Sequence, residues 1–110
     1  MSTGEGPLWK LSQQAHGDSK LWFPNQADDL VHHALALCGE AGEFANLVKK
    51  LQRGDLNLKD ADTRFQVMME LTDVQTYVLS AAGLMGLDLD MSLEHVRAQN
   101  MKRFGTGGTK

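Results

Sequence analysis

The chain has a single cysteine, Cys38, so no disulfide can form within it. That usage suits a reducing, cytoplasmic setting. It has two prolines, Pro7 and Pro24, and both precede the main periodic segments. The longest unbroken apolar run, Ala34 to Cys38, is far below the roughly 20 residues of a membrane span. Residues Met1 to Pro7 lack a cationic stretch leading into an apolar one, so no secretory signal is expected. There is no basic stripe. The 11 basic side chains are outnumbered by 14 acidic ones, for a formal charge of −3, which argues against tight binding to a nucleic-acid polymer. A free nucleotide is compatible with this charge, because Mg²⁺ brings phosphates to acidic surfaces. No Gly-rich phosphate loop of the P-loop kind is present, and no stretch alternates with the two-residue period of a strand.

What remains is a short helical chain. At 110 residues there is room for one domain, with a core expected over about 8–104, a flexible start over 1–7 and a Gly-rich tail over 105–110. The apolar fraction of 42% and the charged fraction of 23% are those of a globular protein. So short a chain buries a modest share of its surface, so self-association is expected.

Four helical segments can be drawn. The first, 8–22, is weakly periodic through Leu8, Leu11, Ala15 and Trp22, and Pro24 closes it. The second, 28–51, repeats Leu30, Ala34, Leu37, Ala41, Phe44, Val48 and Leu51 every three or four residues, as one buried face requires. Asp28 and Asp29 suit its start, and Lys49, Lys50 and Arg53 suit its end. The third, 62–82, carries Val67, Leu71, Val74, Val78, Ala81 and Met85 as its main stripe, widened by Met68 and Leu79. The fourth, 92–104, has Ser92 as its expected N-cap and Leu93, Val96 and Phe104 as apolar contacts. The predicted architecture is an all-α four-helix bundle-type unit.

Glu40 and Glu43 lie three residues apart on the second helix, and Glu70 and Asp73 share that spacing on the third. Residues so spaced sit about 60° apart around the axis and about 4.5 Å along it, so each pair points one way. Both pairs fall on the shoulder of an apolar stripe. If the stripes pack together, all four carboxylates converge at the edge of the bundle. Four such charges repel one another, and a hard divalent cation with oxygen ligands removes the conflict. A single pair of this kind reads as an ordinary solvated face; two matched pairs on adjacent helices favour a metal site. Gly39 and Gly42 are interleaved with the glutamates, each at a cost of roughly 1 kcal/mol relative to alanine in a helix interior. They make a surface that a helix or a ligand can approach closely.

The run Cys38-Gly-Glu-Ala-Gly-Glu-Phe44, followed by Lys49-Lys50 and then Glu70-Leu-Thr-Asp73, resembles the all-α MazG-type nucleoside triphosphate pyrophosphohydrolases, whose signature is EExxE followed by ExxD. Asn100-Met-Lys-Arg-Phe104 is similar to the segment that ends many members, including the related phosphoribosyl-ATP pyrophosphohydrolases, and Trp22-Phe-Pro24 is similar to the entry of the second helix. The likeness covers about residues 8–104. It departs from the signature at Gly39, where the first Glu of EExxE stands, as in a GExGE variant associated with shorter members.

The resemblance implies Glu40, Glu43, Glu70 and Asp73 as catalytic residues and ligands of Mg²⁺, with Mn²⁺ as a substitute, and assembly as a homodimer or homotetramer. The implied reaction is hydrolysis of a ribo- or deoxyribonucleoside triphosphate to monophosphate and pyrophosphate. Lys50, Asn100, Lys102 and Arg103 are candidates for phosphate oxygens, and Trp22 and Tyr77 for a base pocket, since flat rings stack on nucleobases. Lys50 also reads as an ordinary C-terminal helix lysine, and Trp22 equally as a core anchor. Two alternatives stay open. One is the same chemistry on phosphoribosyl-ATP or a modified nucleotide; the other is a helical binding module without turnover, which Gly39 keeps in play. His16, His32, His33 and His95 have no metal-ligand spacing and read as surface or packing residues, and Cys38 as a small buried hydrophobe.

Overall fold

Four helices account for most of residues 6–105, the part of the chain that the computed structural model describes. They are α1 (Pro7–Trp22), α2 (Leu30–Arg53), α3 (Ala61–Met85) and α4 (Leu89–Phe104). No strand occurs among the described residues, and the helices pack in a bundle-like arrangement, so the protein is all-α. The expected flexible start and Gly-rich tail fall largely on residues 1–5 and 106–110, outside the described residues.

Each boundary has a local cause. Pro7 opens α1, where its missing N–H costs nothing, and the helix stops at Trp22, two residues before Pro24. The Asp29 carboxylate caps α2 by accepting from the His32 N–H at 3.0 Å. Gly54, at φ 85°, ends α2 in the left-handed conformation that glycine adopts without strain. Gly86 does the same for α3 at φ 66°. The start of α4 differs from the expectation. Asp88, not Ser92, caps it, accepting from the Met91 N–H at 3.1 Å. Ser92 lies inside the helix and donates its hydroxyl to the Leu89 carbonyl at 3.3 Å.

The central element is α3, with α1 and α2 both packed along it, while α4 meets α1. The α1–α3 contact is closest at Gly83, where a Cβ would overlap the Ser12 carbonyl oxygen. The α2–α3 contact includes a buried polar pair: His33 Nε2 lies 2.9 Å from Ser80 Oγ, and His33 Nδ1 lies 2.9 Å from the Asp29 carbonyl oxygen. That carbonyl can only accept, so Nδ1 carries a proton. A hydrogen bond of 3.0 Å between His16 Nε2 and the Asp28 carboxylate ties α1 to the residues leading into α2.

The packed faces keep Leu37, Phe44 and Leu51 of the expected α2 stripe and Val67, Val74 and Ala81 of the expected α3 stripe, but are turned away from the rest. On α2, His33 and Leu47 are buried and Leu37, Glu40, Phe44 and Leu51 are half-buried, whereas Leu30, Ala34, Ala41 and Val48 are exposed. At 100° per residue the stripe has turned by about 50°. On α3, the row Thr63, Val67, Glu70, Val74, Tyr77 and Ala81 packs inward, while Leu71, Val78 and Met85 are exposed. Both helices carry apolar residues on more than one face, so period alone does not select the buried one. Cys38 is likewise exposed rather than buried, on the outward side of α2.

The interior is thin. Among the described residues, Ala27, Leu47 and Ala82 are the buried hydrophobics, and α4 buries none of its residues. The radius of gyration, 16.9 Å, exceeds the roughly 13 Å of a compact chain of this length.

Candidate metal and nucleotide site

The turned stripes change what the carboxylates are. Glu40 and Glu70 belong to the packed rows of α2 and α3, not to their shoulders, and Glu43 and Asp73 flank them on the exposed side. Glu40, Glu43 and Glu70 each offer an oxygen within 4.8 Å of the others. One oxygen of Glu40 and one of Glu70 are shielded from solvent and have no hydrogen-bond partner. A shielded carboxylate oxygen without a partner is costly, and a cation is one way to satisfy it.

The electrostatics agree with this crowding. Burial pushes the Glu40 carboxyl above the ordinary glutamate range, and the charges of Glu43 and Asp73 push it further, with a side-chain interaction with Glu70 acting the other way. Burial likewise raises Glu70, followed by the charges of Glu43, Glu40 and Asp73. Without a cation, the two inward carboxyls resist ionisation.

Two openings meet at these four side chains. A cleft of about 620 Å³ lies between α1, α2 and α3, with Glu40 and Asp73 in its wall. Trp22, Phe23 and Tyr77 give it flat apolar surface. A second, shallower opening of about 480 Å³ has Glu43 and Glu70 in its wall, together with Gly39, Gly42 and Lys50. The carboxylates thus separate an aromatic compartment from one that holds a lysine. No atom lies within 4 Å of a Cβ built at Gly39 or Gly42, so their faces are open.

Each candidate residue from the sequence can now be placed. Trp22 and Tyr77 share the aromatic cleft; Trp22 is 63% exposed, which rules out a core-anchor role within this chain. Lys50 lies in the second opening, across the carboxylates from both rings. Asn100, Lys102 and Arg103 lie on α4 and line neither opening; the Arg103 guanidinium sits 5.2 Å from the Phe104 ring centroid. Sequence reasoning overlooked Gln14 and Asp18, which also line the cleft. Their signal was available: Gln14, Asp18 and Trp22 are spaced by four residues and so share one face of α1.

Comparison with known proteins adds a phage relative. The Gene 37 protein of Mycobacterium phage L5 is 34% identical over 76 residues, which cover 69% of this chain and 63% of that protein. The chain therefore spans less than two thirds of the relative it matches. No protein-family model matches the chain, and no solved structure matches it.

Proposed function

We propose that the protein is a Mg²⁺-dependent nucleoside triphosphate pyrophosphohydrolase, releasing a nucleoside monophosphate and pyrophosphate. The observation that carries this reading is the triad of Glu40, Glu43 and Glu70, with two shielded, unpartnered oxygens, set between an aromatic cleft and a lysine-bearing opening. These residues fit a hard divalent cation; Glu40, Glu43 and Glu70 would hold it, with Asp73 beside them. Bound Mg²⁺ would supply charge neutralisation for phosphate oxygens and acidification of a bound water.

The chain's own side chains orient the substrate. Trp22 and Tyr77 stack the base. Lys50, on the far side of the carboxylates, offers three donors to phosphate oxygens. A triphosphate laid from one opening to the other passes the carboxylates at its middle, where the α–β anhydride bond must be cut. We assign Glu43, exposed at the junction, to take the proton of the water whose oxygen bonds to the α-phosphorus as the bond to the leaving pyrophosphate breaks.

Assembly belongs to the same proposal. A chain of this mass exposes about 6,000 Å² when compactly folded, and this one exposes 8150 Å². Val31 and Leu35 on α2, each 68% exposed, and Leu93 on α4, 61% exposed, mark the surface that a second copy covers. Since α4 buries nothing within its own chain, it is the element that can carry Asn100, Lys102 and Arg103 to a partner's site.

The test is pyrophosphate release from a panel of ribo- and deoxyribonucleoside triphosphates with Mg²⁺, with Glu43→Gln and Asp73→Asn in parallel. Release that falls at least a hundredfold in both variants is expected, since Glu43 is assigned the water's proton and Asp73 stands beside the cation that would neutralise the phosphates. A folded, Mg²⁺-loaded protein that releases none from any substrate overturns the reaction.

A further inference from the structure

We infer that Asp18 selects nucleotides whose base carries an exocyclic amino group over matched bases with a carbonyl in its place. This rests on reading the aromatic cleft as a nucleotide site.

Gln14, Asp18 and Trp22 form one row along α1, and all three line the cleft. Asp18 is half-buried there, and no hydrogen bond or ion pair engages it among the described residues. An ionised carboxylate only accepts. A flat ligand that stacks on Trp22 also strips water from Asp18, and the loss is made good only if that ligand donates.

Charge decides which part of a nucleotide lies against it. Glu40 and Asp73 line the same cleft, so a third carboxylate makes this compartment hostile to phosphate, whereas Lys50 sits in the other opening. The group that meets Asp18 is therefore neutral, planar and donor-bearing, which describes a base edge.

Bases differ at that edge. Cytosine, adenine and guanine present an amino group, and a carboxylate accepts from it, as Asp and Glu do from cytosine N4. Uracil and thymine flank their one N–H with two carbonyl oxygens, and hypoxanthine places a carbonyl where adenine has its amine; each carbonyl turns a lone pair toward the carboxylate. The Gln14 amide, in the lining of the same cleft, both donates and accepts and so has the groups to pair with the ring nitrogen beside the amine. The hydrogen bond to a charged acceptor corresponds to about a ten- to hundredfold preference.

The experiment uses the full chain with Mg²⁺ and two matched pairs, dCTP against dUTP and dATP against dITP. It compares kcat/KM for each pair and measures equilibrium binding of the α,β-imido analogues, which cannot be cleaved at the reacting bond. The amino member should lead by about tenfold or more in both measurements. Asp18→Asn, whose amide can also donate to a carbonyl, should shrink that ratio below about threefold or invert it, with the thermal midpoint unchanged. Equal values for each pair in the unaltered protein overturn the inference. So does an Asp18→Asn variant that weakens both members alike, the result expected if Asp18 held the sugar or the helix. An amino preference in binding without pyrophosphate release would keep the inference and sink the proposed reaction. Release without the preference does the reverse, and neither binding nor release sinks both.

Discussion

Gly83 on α3 lies directly against the backbone of Ser12 on α1, so close that a methyl group at residue 83 would fall on the Ser12 carbonyl oxygen and within 2.8 Å of the His16 Cβ. Ser12 is fully buried, with its hydroxyl donating to the Leu8 carbonyl at 2.7 Å. Two helices therefore touch backbone to backbone at this point.

Gly83→Ala should consequently destabilise, although alanine favours a helix interior by about 1 kcal/mol. The obstruction is backbone, which cannot swing aside, and overpacking of this kind costs about 1–3 kcal/mol. Gly17→Ala on α1, with no atom within 4 Å of the added carbon, should instead stabilise by up to about 1 kcal/mol. Urea midpoints of the two variants should move in opposite directions. Equal shifts would mean that the α1–α3 contact is looser than described.

A second prediction concerns the tie between α1 and α4. The Asp90 carboxylate accepts from the Leu8 N–H at 3.0 Å and the Trp9 N–H at 2.8 Å, so α4 supplies the cap that α1 lacks from its own Gly6. Asp90→Ala should cost about 0.5–2 kcal/mol, as loss of an N-cap does. Hydrogen exchange should quicken in the first turn of α1 and throughout α4, leaving the middle of α3 protected. Exchange that rises uniformly, or not at all, would remove Asp90 from this role.

The carboxylate cluster gives a pH-dependent signature in the metal-free protein. Glu40 is held above its ordinary range, chiefly by burial and then by its acidic neighbours, so the fold favours the protonated form. Such a contribution is present below the unfolded-state value, about 4.3, and is lost as pH rises through the folded one. Glu40→Gln, fixed in a neutral form, should be more stable than the unaltered chain at neutral pH without metal. That advantage should vanish toward pH 4. Added Mg²⁺ should raise the melting point of the unaltered chain and leave the variant unmoved. A Gln variant that melts lower at neutral pH without metal would contradict the account.

Assembly can be checked by mass. Light scattering should report at least a dimer, and Leu35→Glu, which places a charge on the exposed apolar face of α2, should shift it toward monomer and lower the melting point. A monomeric unaltered chain at micromolar concentration would refute the assembly.

Much of the helical layout could be read from the residues, because its punctuation is local. Asp29, Pro24 and Gly54 act on their own neighbours, and the boundaries they imply agree with α1 and α2 to within two residues. Ser92 misled because it precedes the apolar Leu93, while the true cap, Asp88, stands a turn earlier among alternating leucines and aspartates. The pairing of Glu40 with Glu70 was legible from the two i, i+3 spacings. Their inward position was not, since it depends on which of two apolar faces α2 and α3 turn toward each other. Asp18 could be read from its four-residue spacing with Trp22, but not that this face of α1 lines a cleft; the His33–Ser80 pair was invisible because it depends on a partner on another helix.

The cap on α1 also has a consequence for how the chain is made. The amides of Leu8 and Trp9 leave the ribosome well before their acceptor, which lies 82 and 81 residues further along. At a synthesis rate of about 5–20 residues per second, that delay is on the order of ten seconds. Throughout it the N-terminus of α1 lacks its native acceptor, and completion of α1 waits for the start of α4 to be translated.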